Sequence, residues 1–206
     1  MAAAYPMLYA AGSVRAEVWL ASLRRPWAVI LRMSLWIVLV VDIAIAAALT
    51  LPLAPVNSAW FKMANEVNGD FQREEIGWPE LVETVAHIRD SLPTEDRVHL
   101  GILATNYGEA GAVNLYGTQY GLPRAISGVN SFWEQGYGNP APQVVIVLGL
   151  RREFVEKKFA ACQLAAHSWN RFKVPNEETV EHPDIFVCRG LHQSWPEFWK
   201  DFRYFG

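Results

Sequence analysis

Hydrophobic and polar positions divide this chain into two unlike parts. Met33 to Leu53 is a run of 21 residues with one charge, Asp42. About 20 apolar residues cross a bilayer core as an α-helix, so this run predicts a transmembrane helix. Pro52 and Pro55 end it, since proline cannot continue the hydrogen-bond ladder. A secretory signal peptide is the rival reading, with Ala46-Ala47-Ala48 as a cleavage-like site. Ala2 to Leu20 is weaker, apolar at first and then interrupted by Arg15 and Glu17, like the end of another membrane helix. The expected organisation is 1–23, a partial membrane helix or interfacial segment; 24–56, a transmembrane helix; and 57–206, a folded body.

In the body the periodicity changes. Asn57 to Gly77 is a polar and aromatic connector. From Pro79 to Leu92, Leu81, Val85, Ile88 and Leu92 recur at helical spacing, with Glu83, His87 and Asp90 elsewhere on the wheel. Pro79 suits a first turn and Pro93 a stop. Val98 to Ala104 and Val144 to Leu148 are apolar runs of strand length, the second rich in valine and suited to burial on both faces. Gly108 to Tyr116 predicts a short helix and Arg124 to Ser127 a short strand. Arg151 to Phe159 predicts a helix with Phe154, Val155 and Phe159 inward. Cys162 to His167 and Ile185 to Cys188 predict further strands, and Pro196 to Phe205 a short terminal helix. Strand–helix alternation implies an α/β fold: a small, mostly parallel, three-layer, Rossmann-like domain with right-handed crossovers. Ligands of such sheets bind outside the carboxyl ends of the strands.

Charge sharpens the division. The chain carries a net charge of −3, which gives nucleic-acid binding no electrostatic support. Arg24, Arg25 and Arg32 precede the long apolar run, and the next basic residue is Lys62. The positive-inside rule then places the amino-terminal side in the cytoplasm and the body outside it. Asp42 falls near mid-membrane, where a charge is costly, and points to neighbouring membrane helices as partners besides the lipid bilayer.

One stretch concentrates candidate chemistry. Asn106 to Gly136 reads NYGEAGAVNLYGTQYGLPRAISGVNSFWEQG and follows the first strand. Asn, Gln, Ser and Tyr hydrogen-bond sugar hydroxyls, and Trp and Tyr stack on sugar faces. The bland alternative is a long loop that needs glycine for its turns. Glu109 either caps the helix start or serves a hydroxylated ligand as hydrogen-bond acceptor or base. Glu177 and Glu178 are expected on a solvated loop. The two cysteines, Cys162 and Cys188, form a disulfide in an exported domain or remain buried thiols. The histidines lack metal-ligand spacing, and the glycine fingerprint of dinucleotide sites is absent. No cofactor is expected, and no nucleophile–base set is evident.

The runs NYGEAGAVNLYG and GLPRAISGVNSFWEQG resemble the carboxyl-terminal extracytoplasmic domain of bacterial family 39 glycosyltransferases. These membrane proteins are related to protein O-mannosyltransferases and to the lipid A aminoarabinose transferase. AYPMLYAAGSVRAEVWL, EIGWPELVETVAHI and IFVCRGLHQSWPEFW are similar to the same pattern, so the resemblance covers most of the chain. Val129 departs from it, standing where relatives carry a histidine. The resemblance implies an enzyme of many membrane helices that moves a sugar from a polyprenyl-phosphate donor to a glycan or other acceptor outside the cytoplasm. It places the catalytic acids in an early extracytoplasmic loop with no counterpart here, and Asp42 does not match them. The chain is therefore expected to be the carboxyl-terminal piece of such a transferase, or a short paralogue, inactive alone. Asn106, Tyr107, Glu109, Asn114, Arg124, Asn130 and Trp133 are the expected substrate-binding residues, from their clustering beyond a strand end. A single-span anchor presenting an α/β body to other membrane proteins is the alternative.

Overall fold

The computed structural model describes residues 5–205, so the start of the apolar segment expected from Ala2 lies outside the described residues. The chain falls into two compact units, one ending at Pro55 and one beginning at Val56. The first holds α1 (Tyr5–Ser22) and α2 (Arg25–Thr50). Among the described residues, α2 is the one helix long and apolar enough to cross a membrane, and none of its residues is buried. Its 26 residues extend about 39 Å at 1.5 Å per residue. Arg32 on α2 pairs with Glu17 on α1.

The second unit begins with α3 (Ala59–Asn68) and α4 (Phe71–Glu74). The expected connector is thus partly helical. Ser58 caps α3 by accepting from the Phe61 N–H, and Gly69 closes it in the left-handed conformation. Then come α5 (Trp78–Ser91), α6 (Thr94–Val98), β1 (Leu100–Ala104) and α7 (Tyr107–Tyr116). A 3₁₀ turn at Gly117–Tyr120 leads to β2 (Ala125–Ser127), and another at Asn130–Gln135 to β3 (Val144–Val147). The remaining elements are α8 (Arg152–Lys158), β4 (Phe159–His167), α9 (Glu177–Val180), β5 (Asp184–Leu191) and α10 (Trp195–Asp201). Several predicted edges shift, and two of the shifts exchange helix and strand. Val98 ends a helical turn instead of opening β1, and Phe159 opens β4 instead of closing α8.

The sheet is mixed, which corrects the expectation of a mostly parallel one. Its order is β2-β1-β3-β5-β4. The pairs β1–β2 and β1–β3 are parallel, whereas β5 runs antiparallel to both β3 and β4. Alternation along the strands feeds two cores. Ile102, Ala104, Val144, Ile146, Ile185 and Val187 pack with α5 and α7 on one face. Leu103, Val145, Val147, Phe186 and Cys188 pack with Val155 of α8 and with Phe198 and Trp199 of α10 on the other. β1 and β3 are buried throughout, as their uninterrupted apolar sequences require. From Cys162 onward, edge strand β4 alternates between half-buried and exposed residues.

Cys162 and Cys188 stand opposite each other on β4 and β5 and are joined by a disulfide. The bond fastens the exposed edge strand to its neighbour and closes the loop that carries α9.

Candidate functional site

The chain turns from β1 into α7 through Thr105 and Asn106, and the local sequence dictates a capping box. The Asn106 side chain accepts from the Glu109 N–H at 2.8 Å. Glu109 Oε2 accepts in return from the N–H groups of Thr105 and Asn106 at 2.8 and 3.2 Å. Both satisfy backbone donors that a helix start otherwise leaves free. Glu109 is 2% exposed. Burial pushes its carboxyl up to about 8, against the opposing pull of the Asn106 and Thr105 N–H groups.

Glu109 also fills the crevice between the ends of β1 and β3. Gly149, just past β3, has φ +69°, and a Cβ built there would lie 2.5 Å from Glu109 Oε1. The usual ligand position of an open α/β sheet is thus occupied by the protein's own carboxyl group.

Space for a ligand opens on the outer side of α7. A groove of about 520 Å³ runs there, bounded by Gly69 and α4, Trp78, α7 and the α9 turn. Gly108 permits it: a Cβ at that position would lie 2.8 Å from the Trp78 ring, so glycine lets the indole rest on the α7 backbone. Gly111, one turn on, leaves the groove open, since a Cβ added there would meet no atom within 4 Å. Phe71, Trp78, Tyr107 and Tyr116 supply aromatic walls, and Glu74, Glu75, Glu177 and Glu178 supply carboxylates. Among the described residues, no Lys, Arg or His lines it. Phe71 and Tyr107 are 61% and 62% exposed, so they offer free ring faces.

Three hydrogen bonds fix the acidic wall. Asn176 Nδ2 donates to the Ile76 carbonyl at 2.7 Å, and the Glu177 N–H donates to Glu74 Oε2 at 2.9 Å. Asn106 Nδ2 donates to Glu178 Oε1 at 3.2 Å. Glu178 is 7% exposed, which corrects its expected solvation. Its second oxygen, Oε2, is buried without a hydrogen-bond partner. Burial raises its carboxyl above the ordinary range, opposed by its own backbone N–H and by Asn106.

The seven sequence-predicted residues do not form one site. Asn106 and Tyr107 line the groove, with Glu109 buried beneath the same helix start. Asn114 accepts from the Ala125 N–H at 2.9 Å and ties α7 to β2. Arg124 lies at the opposite, amino end of the strands, in a separate pocket of about 350 Å³ with His99, Gln135 and Tyr137. Its guanidinium donates to Gln135 Oε1 at 2.8 Å. Asn130 adopts a left-handed φ of 47°, and its N–H donates to the Tyr204 carbonyl. Trp133 is a packing residue. Its indole N–H donates to the Trp199 carbonyl at 2.8 Å, while the Trp199 indole donates back to the Trp133 carbonyl at 3.1 Å. Arg203 stacks over the Trp133 ring at 4.5 Å.

Phe71, Glu74, Glu75, Trp78, Glu177 and Glu178 carry no local signal that would join them to this site. They approach Asn106 only through the fold, from about 30 residues before it and about 70 after it. The EEIGW run and the Asn176 capping box are the only local hints of an ordered wall. The geometry suits a neutral or cationic ligand with hydrogen-bond donors and a face for stacking, and it disfavours a phosphate. No protein family, curated protein or solved structure matches the chain.

Proposed function

We propose that this chain is the extracytoplasmic carboxyl-terminal part of a polyprenyl-phosphate-sugar-dependent membrane glycosyltransferase, and that the α7 groove holds the glycan acceptor. The groove carries this reading. Exposed aromatic faces next to amide and carboxylate acceptors match what sugars offer, with C–H faces that stack and hydroxyls that donate. The acidic lining favours the acceptor over the donor, because a polyprenyl phosphate would meet carboxylates without a compensating cation. Resemblance of the runs around Asn106 and Arg124 to family 39 glycosyltransferases supports the assignment. So does α2 as a membrane tether whose apolar run from Met33 follows Arg24, Arg25 and Arg32. No catalytic acid is assigned to this chain.

Binding tests the reading. The full chain in phosphatidylglycerol nanodiscs is to be titrated with mannose, glucose, N-acetylglucosamine and their disaccharides, followed by tryptophan fluorescence. At least one is expected to bind, and Tyr107→Ala and Gly111→Leu each to weaken it tenfold or more with unchanged thermal midpoints. Binding that neither substitution alters would refute the site.

The disulfide belongs with an oxidising compartment. Protein from acid-quenched cells is expected to take up maleimide at Cys162 and Cys188 only after reduction. Full labelling without reductant would argue against an extracytoplasmic body.

A further inference from the structure

We propose that the α7 groove selects a ligand bearing an organic ammonium group. This rests on the glycan-site reading for its location and narrows the class of ligand.

Two independent features point the same way. The first is electrostatic. Glu74, Glu75, Glu177 and Glu178 line the groove without a lining cation among the described residues. Arg73, nearby, pairs with Asp70 at 2.9 Å and balances Glu74 at 3.3 Å, which leaves Glu75, Glu177 and Glu178 as the lining carboxylates without an ion-pair partner among the described residues. Glu178 is the decisive side chain: it lines the groove, its Oε1 accepts from Asn106, and its Oε2 has no hydrogen-bond partner. A buried acceptor left unpaired is costly, more so if charged, and a ligand that satisfies it recovers that cost. A cation offsets a buried carboxylate more than a neutral hydroxyl does, through its charge and, in a primary ammonium, through its N⁺–H donors as well.

The second feature is the walls. Phe71, Trp78, Tyr107 and Tyr116 line the same groove. Aromatic faces carry negative quadrupole potential, which attracts an ammonium placed over one. Aromatics and carboxylates around one space are complementary to an ammonium group. A neutral sugar uses the rings and the acceptors but leaves the excess negative charge unbalanced.

Choline and its neutral carbon isostere 3,3-dimethylbutanol isolate the charge. Glucosamine and glucose, measured beside them, tell an ammonium-bearing sugar from a headgroup-like ammonium. The full chain in phosphatidylglycerol nanodiscs, which lack ammonium headgroups, is titrated with each by NMR or calorimetry. Choline is expected to bind at least tenfold more tightly than its isostere, and glucosamine at least tenfold more tightly than glucose. Both preferences should fall at least fivefold in Glu178→Gln and disappear in Gly111→Leu, where an added Cβ meets no atom within 4 Å and the rest of the side chain takes up groove space. Choline selectivity with no sugar binding would keep the ammonium inference and overturn the glycan reading. Equal binding of glucose and glucosamine with no choline binding would overturn the inference and keep the glycan reading. Absence of all binding would overturn both.

Discussion

Gly128→Ala is expected to destabilise the body by more than about 3 kcal/mol and to release its carboxyl-terminal segment. A Cβ on Gly128 would stand 1.7 Å from the Phe202 carbonyl oxygen, a backbone atom that no rotamer change can move. Relief requires Phe202 to Tyr204 to lift from residues 128–130. That movement breaks the Tyr204 N–H bond to the Gly128 carbonyl and the Asn130 N–H bond to the Tyr204 carbonyl. It also exposes Phe202, which stacks on Phe198 at 4.9 Å. Overpacking alone costs about 1–3 kcal/mol, and each lost hydrogen bond about 1 kcal/mol more. Denaturant titration of the full chain should show a lower midpoint with an unchanged slope, and proteolysis should cut near α10. Gly111→Ala is the control, since its site is open and helical, and it should be neutral or slightly stabilising. Equal midpoints for the two variants would mean that the carboxyl-terminal segment does not dock on Gly128.

Stability is expected to decline as pH rises from about 5 to about 8, with Glu109 as the main cause. Its carboxyl titrates near 4.5 in the unfolded chain and at about 8 in the folded one, because burial disfavours the charge. Between these values the folded state binds a proton that the unfolded state has released. The slope of unfolding free energy against pH is therefore negative there and levels off above about 8. At 1.36 kcal/mol per unit the full effect is on the order of 5 kcal/mol. Glu178, also raised by burial, contributes with the same sign, while Tyr204 is pushed up to about 12 and stays neutral throughout. Glu80, held below its ordinary range by Arg171, acts in the opposite sense but only below about 4.5. Glu109→Gln should flatten most of the slope between pH 5 and 8, whatever its effect on absolute stability. A slope of undiminished size in that variant would remove Glu109 as its source.

Periodicity is a reliable guide where one element answers to one core. Leu81, Val85 and Ile88 place α5, and unbroken apolar runs place β1 and β3, because burial on a fixed face demands those spacings. The Glu109 cap is legible too, since a capping box spans only four residues. Strand direction is not. Apolar alternation on β4 and β5 is the same whether a neighbour runs parallel or antiparallel, so helix–strand alternation suggests the wrong sense. The chain between them, residues 168–183, holds only the four-residue α9, too little for a crossover helix. The candidate site is half legible for a related reason. Asn106 and Tyr107 sit where a strand end predicts a ligand, but closeness in sequence to Arg124 and Trp133 does not mean closeness in space. A β–α–β unit sends successive turns to opposite ends of its sheet, which separates Arg124 from Asn106. Trp133 looks like a stacking platform because an indole's partner cannot be read from sequence, and here it is Trp199.

The reversal of β5 reaches beyond topology. Since β4 runs in the same sense as β3, it delivers the chain to the end of the sheet where α7 begins, and the antiparallel return leaves residues 168–183 overhanging that end. One rim of the cleft is therefore a loop outside both apolar layers, fastened by Asn176 to the Ile76 carbonyl, by Arg171 to Glu80 and by Trp169 to Thr84. Substitutions in that loop would alter preference for one ligand over another while the strands and helices beneath keep their packing.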